Sequence, residues 1–383
     1  MNPHAFLQDQ KQIEAVESLY RVDDEGYLYH MAADYDYYDI PDAFKQVIDA
    51  GCSTFVTKNL NGETLFCRNY DFSHYLHNDK SNPRTGLNVI VEGNNPKAKY
   101  RSLGVADAYW LDFKNGTYGK GVPDDGKSDL SAFILCPCIC MDGMNEAGLA
   151  ISILALSVKA DWKEIPYDSY KEKLDKNKEN IFLDKTNEIP DPYWRKASAG
   201  SIAVNEADKK AWICEKELIQ TRKENQPTYL HPVAMRTVLD YCGSVEEAVA
   251  YFDGINLKGA MPGADYHIMV ADKSGKSRLL EWDNGQMVVT DINHATNHYV
   301  CKDDPFEKEP CGRDECIKAG LYRTRKNGMR EDFAANLLSL VVQDPSNGAD
   351  TGKTLYSCIY NLNKKTLRIY SFGDMSKYWD YQM

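Results

Sequence analysis

Several features are missing from this chain, and each absence narrows its function. No stretch reaches the roughly 18 apolar residues of a spanning helix, so no helical membrane protein is expected. Positive charge is scarce: 45 Lys and Arg stand against 57 Asp and Glu, a net charge of −12. Nucleic acid and anionic membrane surfaces both require a basic footprint, so neither is an expected partner. The eight histidines show no HExxH or paired-ligand spacing, so no metal and no cofactor is expected. The start, "MNPHAFLQDQKQIEAVESLYRVDDEG", has neither a basic nor an apolar signal region, and a cytoplasmic location follows as an expectation. Eleven cysteines, an odd number without a secretory signal, read as thiols rather than disulfides.

What is present is enough for one large globular domain, 383 residues at 43% hydrophobic. Residues 1 to 51 read as a leader rather than a core: a polar helix candidate, a Tyr/Asp-rich stretch and a second short helix. From Cys52 onward strands dominate. "AFILCPCICMDGMNEAGLAISILALSV" reads as two buried strands joined by a turn, and Pro-broken residues 159 to 200 read as a surface excursion. "HPVAMRTVLDYC" and "SVEEAVAYFDG" read as a helix pair, the second opened by a Ser244/Glu247 capping box and stopped at Gly254. A three-strand meander, "ADYHIMVADKSGKSRLLEWDNGQMVVTDINHATNHYV", precedes a cysteine-bearing loop, a helix around "EDFAANLLSLVVQD" and a last hairpin, "TLYSCIYNLNKKTLRIYSF". The order implies antiparallel sheets covered by helices, an α+β layered class.

The stretch "GCSTFVTKNLNGETLFCRNYDF" carries the chemistry. Asn61-Gly62 predicts a two-residue type I′ turn, which sets Cys52 opposite Asp71. The same register places Arg68 on the other side of the sheet, so its guanidinium reaches Cys52 only if the strand bulges. A cysteine beside an arginine has its thiolate favoured. Cleavage of the Gly51–Cys52 bond would give Cys52 an α-amine of pKa about 7.7–8.0, suited to a general base, so that nucleophile and base are one residue.

Cys52, Arg68 and Asp71 resemble the opening motif of the N-terminal-nucleophile hydrolases of the choloylglycine hydrolase and penicillin V acylase family, whose relatives include acid ceramidase and N-acylethanolamine amidase. "DGMNEAGLAIS", "SVEEAVAYF" and "YHIMVADKSGKSRLLEW" extend the resemblance over most of the chain after residue 51. It implies a four-layer αββα sandwich over residues 52–383, a propeptide over 1–51, and autocleavage between Gly51 and Cys52. It also implies that Arg68 supports the thiolate, Asp71 binds the amine, Asn297 of "HATNHY" is a side-chain oxyanion donor, and Arg313 of "CGRDECIKAGL" is a further active-site arginine. The main-chain N–H of Ala155 falls at the second oxyanion position, where many members carry Asn or Tyr. The implied reaction is hydrolysis of a linear, non-peptide C–N amide in a small-molecule N-acyl amide, with acyl transfer or a non-catalytic binding role as alternatives. Homo-oligomers are common in the family, but no feature fixes a number.

Plainer readings compete at several positions. Arg68 and Asp71 also suit an ordinary ion pair. Asn145, with Glu146 and Gly148, reads as a turn rather than chemistry, and Asp142 is ambiguous between the two. Cys136, Cys138 and Cys140 read as buried thiols on one face of a strand, and Cys301, Cys311 and Cys316 as free thiols rather than metal ligands. His294 and His298 read as exposed loop residues, and the tyrosines at 35, 37 and 38 as packing for the leader.

Overall fold

The computed structural model describes residues 7, 9–24, 26, 28–38, 51–72, 88–108, 111, 130–157, 162–172, 183–185, 202–214, 223–258, 264–283, 285–302, 312–343 and 353–383. Two large sheets dominate. A nine-stranded sheet runs from Tyr20–Arg21 and Leu28–Ala33 at one edge through Asn88–Gly93, Ser102–Asp107, Cys140–Asn145 and Leu149–Ser157. It ends with Ala264–Asp272, Ser277–Asp283 and Gln286–Thr290. A six-stranded sheet has the order His294–Ala295, Gly51–Lys58, Thr64–Phe72, Lys353–Asn361, Thr366–Ser371, Trp379–Gln382. Every pairing in the two sheets is antiparallel except that of Leu28–Ala33 with Asn88–Gly93.

Alternation along the strands sorts the layers. Leu65 and Cys67 point outward with Phe55 and Ile359, where they meet Ile317 of the Gly312–Thr324 helix and Ala334, Leu337 and Leu338 of the Glu331–Leu340 helix. Val56, Phe66 and Tyr70 point inward to the core shared with the nine-stranded sheet. The outer face of that sheet is covered by His231–Tyr241 and Val245–Asp253, through Met235, Leu239, Ala248 and Phe252. Gly143 permits this closeness, because a Cβ there would lie 2.9 Å from Leu239 and 3.0 Å from the Leu103 carbonyl. The four layers are helix, sheet, sheet, helix, the α+β sandwich expected.

Four expectations need correction. Residues 28–33, read as part of a leader, form a core strand in which Leu28, Tyr29 and Met31 are fully buried, because "LYHMAA" offers an apolar edge to Asn88–Gly93. The second short helix expected before residue 51 lies outside the described residues. "SAFILCPCI", read as strand, is a 3₁₀ helix over Ser131–Ile139, and only Cys140–Asn145 is strand; Pro137 has no N–H to give a ladder. The cysteine-bearing loop becomes helix from Gly312. The part of the excursion that is described supplies two strands, Trp162–Ile165 and Leu183–Lys185, to a small four-stranded sheet.

The fourth correction concerns the first hairpin. Asn59, not Leu60, is the last paired residue before the turn: its N–H donates to the Glu63 carbonyl at 2.8 Å, and its Oδ1 accepts from the N–H groups of Asn61 and Glu63, both at 2.9 Å. The loop is therefore three residues long, with only Gly62 at positive φ, 78°. Lengthening the loop by one moves every partner by one. Gly51 pairs with Asp71, Cys52 with Tyr70 and Thr54 with Arg68.

Candidate active site

The corrected register puts Cys52, Thr54, Arg68 and Tyr70 on the inward face together. No bulge is required in this hairpin for Arg68 to reach the sulfur, since its Nη2 donates to Cys52 Sγ at 2.8 Å. Both side chains are fully buried. Arg68 also lies 5.6 Å from the Tyr70 ring centroid, and its Nε sits 3.0 Å from Asp142 Oδ2. That contact is close but poorly directed, so it is an ionic contact rather than a hydrogen bond. Asp142 in turn accepts from Tyr356 at 2.6 Å and from Tyr360.

A second group gathers around the main chain of Cys52. Its N–H donates to Asn297 Oδ1 at 3.0 Å, and its carbonyl accepts from Arg313 Nη1 at 3.3 Å. Arg313 Nη2 donates to the same Asn297 oxygen at 2.8 Å, while Nη1 meets Asp71 Oδ2 at 3.1 Å. Asp71 Oδ1 is taken by the Thr354 hydroxyl at 2.6 Å. Asn297 Nδ2 donates to the Ala155 carbonyl at 2.7 Å. Cys52, Arg68, Asp71, Asn297, Arg313 and Ala155 are thus brought together from the hairpin, two loop or helix starts and the opposite sheet.

Two contacts engage the expected residues through other atoms. In the uncleaved chain Asn297, not Asp71, receives the Cys52 nitrogen. Ala155 presents its carbonyl to Asn297, whereas its N–H was the expected contributor. A Thr54 to Ser152 hydroxyl contact of 3.1 Å fixes the spacing of the two sheets beside this point.

Asn297 is bracketed by two buried side chains that sequence reading passed over. His267 Nε2 meets the Thr296 carbonyl at 2.7 Å and its Nδ1 meets Glu281 Oε1 at 3.1 Å. Glu281 accepts the N–H groups of Val300 at 2.9 Å and Cys301 at 2.7 Å. Burial pushes the Glu281 carboxyl up, but the His267 hydrogen bond and charge outweigh it and hold the group below its ordinary value. Of the flanking histidines, His294 is buried rather than exposed, 3.4 Å from Asp314, and His298 Nδ1 meets Thr296 Oγ1 at 2.8 Å.

The electrostatics at Cys52 are dominated by burial, which pushes the thiol up to about 12. Arg68 and the Asp71 main-chain N–H act in the opposite direction, and the Asp71 and Asp142 carboxylates add to the rise. Burial likewise raises Asp71 against the pull of Arg313, and Asp142 against the pull of Arg68. The arrangement holds a thiol poised beside a cation and a main-chain bond held at both its N–H and its next carbonyl. Among the described residues no group of three His, Cys, Asp or Glu side chains is placed to hold a metal, and nine cysteines, Cys136, Cys138 and Cys140 included, are free thiols.

Comparison with known proteins bears on the fold. A variant of conjugated bile acid hydrolase from Clostridium perfringens superposes with a TM-score of 0.50 at 15% identity, over 87% of this chain and 92% of that one. The chain has the N-terminal-nucleophile hydrolase fold. A second variant of that hydrolase gives 0.49 at 14% identity over 87% and 92%, and penicillin V acylase from Agrobacterium tumefaciens gives 0.40 at 13% over 87% and 86%. Residues 213–374 match the family model of acyl-coenzyme A:6-aminopenicillanic acid acyl-transferase. That match includes Asn297 and Arg313 but not the hairpin of Cys52. No curated protein matches the chain. The fold agrees with the resemblance over 87% of the chain, and the sequence match is confined to residues 213–374. No helix among the described residues is long and apolar enough to cross a membrane.

Proposed function

We propose that the protein is a cysteine amidohydrolase of linear N-acyl amides, matured by cleavage of its own Gly51–Cys52 bond. The observation that carries this is the 2.8 Å contact of Arg68 with Cys52 Sγ, made while Asn297 and Arg313 hold the main chain of the same residue. In maturation the Cys52 thiol adds to the Gly51 carbonyl carbon, the C–N bond breaks with a proton passing to the Cys52 nitrogen, and water releases Gly51 from the resulting thioester. The freed amine then serves as base for the same sulfur. Substrate acylates Cys52, its amine leaves with the proton that the Cys52 amine took from the thiol, and water hydrolyses the thioester.

In this reading the oxyanion donors are the Asn297 carboxamide and the main-chain N–H of Ala155, as the family resemblance implies. Asn297 Nδ2 is bonded to the Ala155 carbonyl in the uncleaved chain, so its service as donor requires that bond to open. The fold shared with a conjugated bile acid hydrolase and the grouping of Cys52, Arg68, Asp71 and Asn297 support the amide class of the substrate. The family match over residues 213–374 favours a second reading, in which an acceptor amine replaces water in the final step.

Intact-mass measurement of denatured protein tests maturation. The wild type is expected as two pieces, residues 1–51 and 52–383, and Cys52→Ala as one. Gel filtration of the native protein is expected to keep the pieces together, because Leu28–Ala33 is paired within the nine-stranded sheet. An uncut wild-type chain would sink the maturation. A panel of N-acyl amides, with and without acceptor amine, separates hydrolysis from transfer by the product formed.

A further inference from the structure

Asp142 lies outside the set of residues given a role above, yet it is the only carboxylate among the described residues that contacts Arg68. We propose that Asp142 is a positioning residue that governs the acidity of Cys52 by sharing the Arg68 guanidinium with the sulfur.

One cation has two anionic claimants. Nη2 of Arg68 meets Cys52 Sγ at 2.8 Å and Nε meets Asp142 Oδ2 at 3.0 Å, with all three side chains fully buried. A buried guanidinium requires a counter-charge. While Cys52 is a thiol, Asp142 provides it. When the thiol ionises, two buried anions compete for one cation, which disfavours the second charge.

The groups packed around this pair leave the count intact. Asp142 faces the Tyr356 and Tyr360 phenols and the Cys358 thiol from the Lys353–Asn361 strand, all of them neutral donors. Tyr70 on the hairpin donates to Asp107 at 2.8 Å. Asp71 is matched by Arg313. Around Cys52 the two arginines are matched by Asp71 and Asp142 while sulfur keeps its proton, and Asp107, bonded to Tyr70, adds no cation. Cleavage at Gly51 adds an ammonium beside the sulfur, which offsets the charge of a thiolate. Asp142 thus disfavours a standing thiolate in the uncleaved chain, in which Cys52 attacks Gly51 as a thiol, and the new ammonium offsets this after cleavage. Burial and the Asp142 charge both act in this direction on the thiol.

This rests on the reading of Cys52 as nucleophile, but its test does not use activity. Thiolate formation is followed by ultraviolet absorbance across a pH titration of the full chain, in the form that intact mass identifies. The matching Cys52→Ala protein serves as blank for each variant. Asp142→Asn keeps the size of the side chain and removes the charge. Its midpoint is expected to fall, corresponding to about tenfold or more in acidity. An unchanged or raised midpoint overturns the proposal, because a residue that merely packs or tethers Arg68 would give one of those. Tyr360→Phe, which removes one donor from the carboxylate and leaves its charge less satisfied, is expected to raise the midpoint. Should Asp142→Asn not fold, an unchanged or lowered midpoint in Tyr360→Phe overturns the proposal by itself. Failure of maturation is read separately, from the mass alone.

Discussion

Two arginine–carboxylate pairs frame Cys52, and they are built differently. Arg68 with Asp142 grips the sulfur from between the sheets, where neither side chain touches solvent. Arg313 with Asp71 grips the main chain from the helix side, and the Arg313 side chain is 20% exposed. The first pair joins the two sheets of the fold. The second joins a strand to the first turn of a helix and to the Asn297 loop, so it can change with less disturbance to the core. The difference teaches that the surroundings of the sulfur are tied to folding here, whereas the hold on the Cys52 main chain is not.

The comparison breaks if the two arginines respond alike. Arg68→Gln leaves Asp142 buried without its cation, and loss of about 3–5 kcal/mol of stability is expected by chemical denaturation. Arg313→Gln leaves Asp71 still bonded to Thr354 and opens one side to water, so about 1–2 kcal/mol is expected. Processing should show the reverse selectivity per unit of stability lost. Arg313 contacts both the Cys52 carbonyl and Asn297, and its loss is expected to slow cleavage in a protein that remains folded. Equal destabilisation of the two variants would mean that the pairs are equivalent.

Asn297→Ala sharpens the contrast within the second group. Its oxygen holds the Cys52 N–H, and its nitrogen is the expected oxyanion donor. Loss of one such donor costs about 2.7–4 kcal/mol of barrier, or ~10²–10³-fold in rate. Single-turnover acylation by the matured protein measures it. A loss of only a few-fold would assign Asn297 to holding the chain and leave the oxyanion to main-chain N–H groups.

These residues were unequally legible in the sequence. Cys52, Arg68 and Asp71 stood out because their order and spacing resemble a known opening motif, and Asn297 because "HATNHY" resembles a later one. The helix pair and the meander were legible through periodicity, and the predicted bounds of Ser244 and Gly254 coincide with the observed caps. Arg68 was misplaced for a local reason: Asn-Gly is a strong turn signal, but the Asn59 side chain captured two N–H groups and moved the turn by one residue. Leu28–Ala33 was missed because its neighbours are acidic and tyrosine-rich, and only its parallel partner sixty residues on makes it core. Asp142 had one available signal, a carboxylate inside the apolar run "CICMDGM". Such a group must find a counter-charge when buried, yet the sequence does not say which. His267 and Glu281 are likewise charged or polar positions on inward faces of strands, with partners set by tertiary structure.

The smallest predicted effect on processing lies one residue from Arg313 and tests how local the division is. Asp314 is buried and faces His294 at 3.4 Å and Lys318 at 2.6 Å, away from the contacts that Arg313 makes with Cys52. Burial pushes its carboxyl up, but the His294 hydrogen bond, the Lys318 hydrogen bond and nearby positive charge together bring it down to about 2. In the unfolded chain an aspartate titrates near an ordinary value of about 3.9. The depressed value means that the unfolded state takes up the proton first as pH falls. The stabilisation is therefore present above about pH 4 and is lost as pH falls towards 2. After allowance for screening it amounts to about 1–2 kcal/mol. Asp314→Asn should lose that amount near neutral pH, show a correspondingly shallower decline in stability between about pH 4 and 2, and process at close to the wild-type rate. Denaturation midpoints across that window measure it. Parallel declines for the two proteins would remove Asp314 from the acid response, and slowed processing would show that the helix start acts as one unit with Arg313.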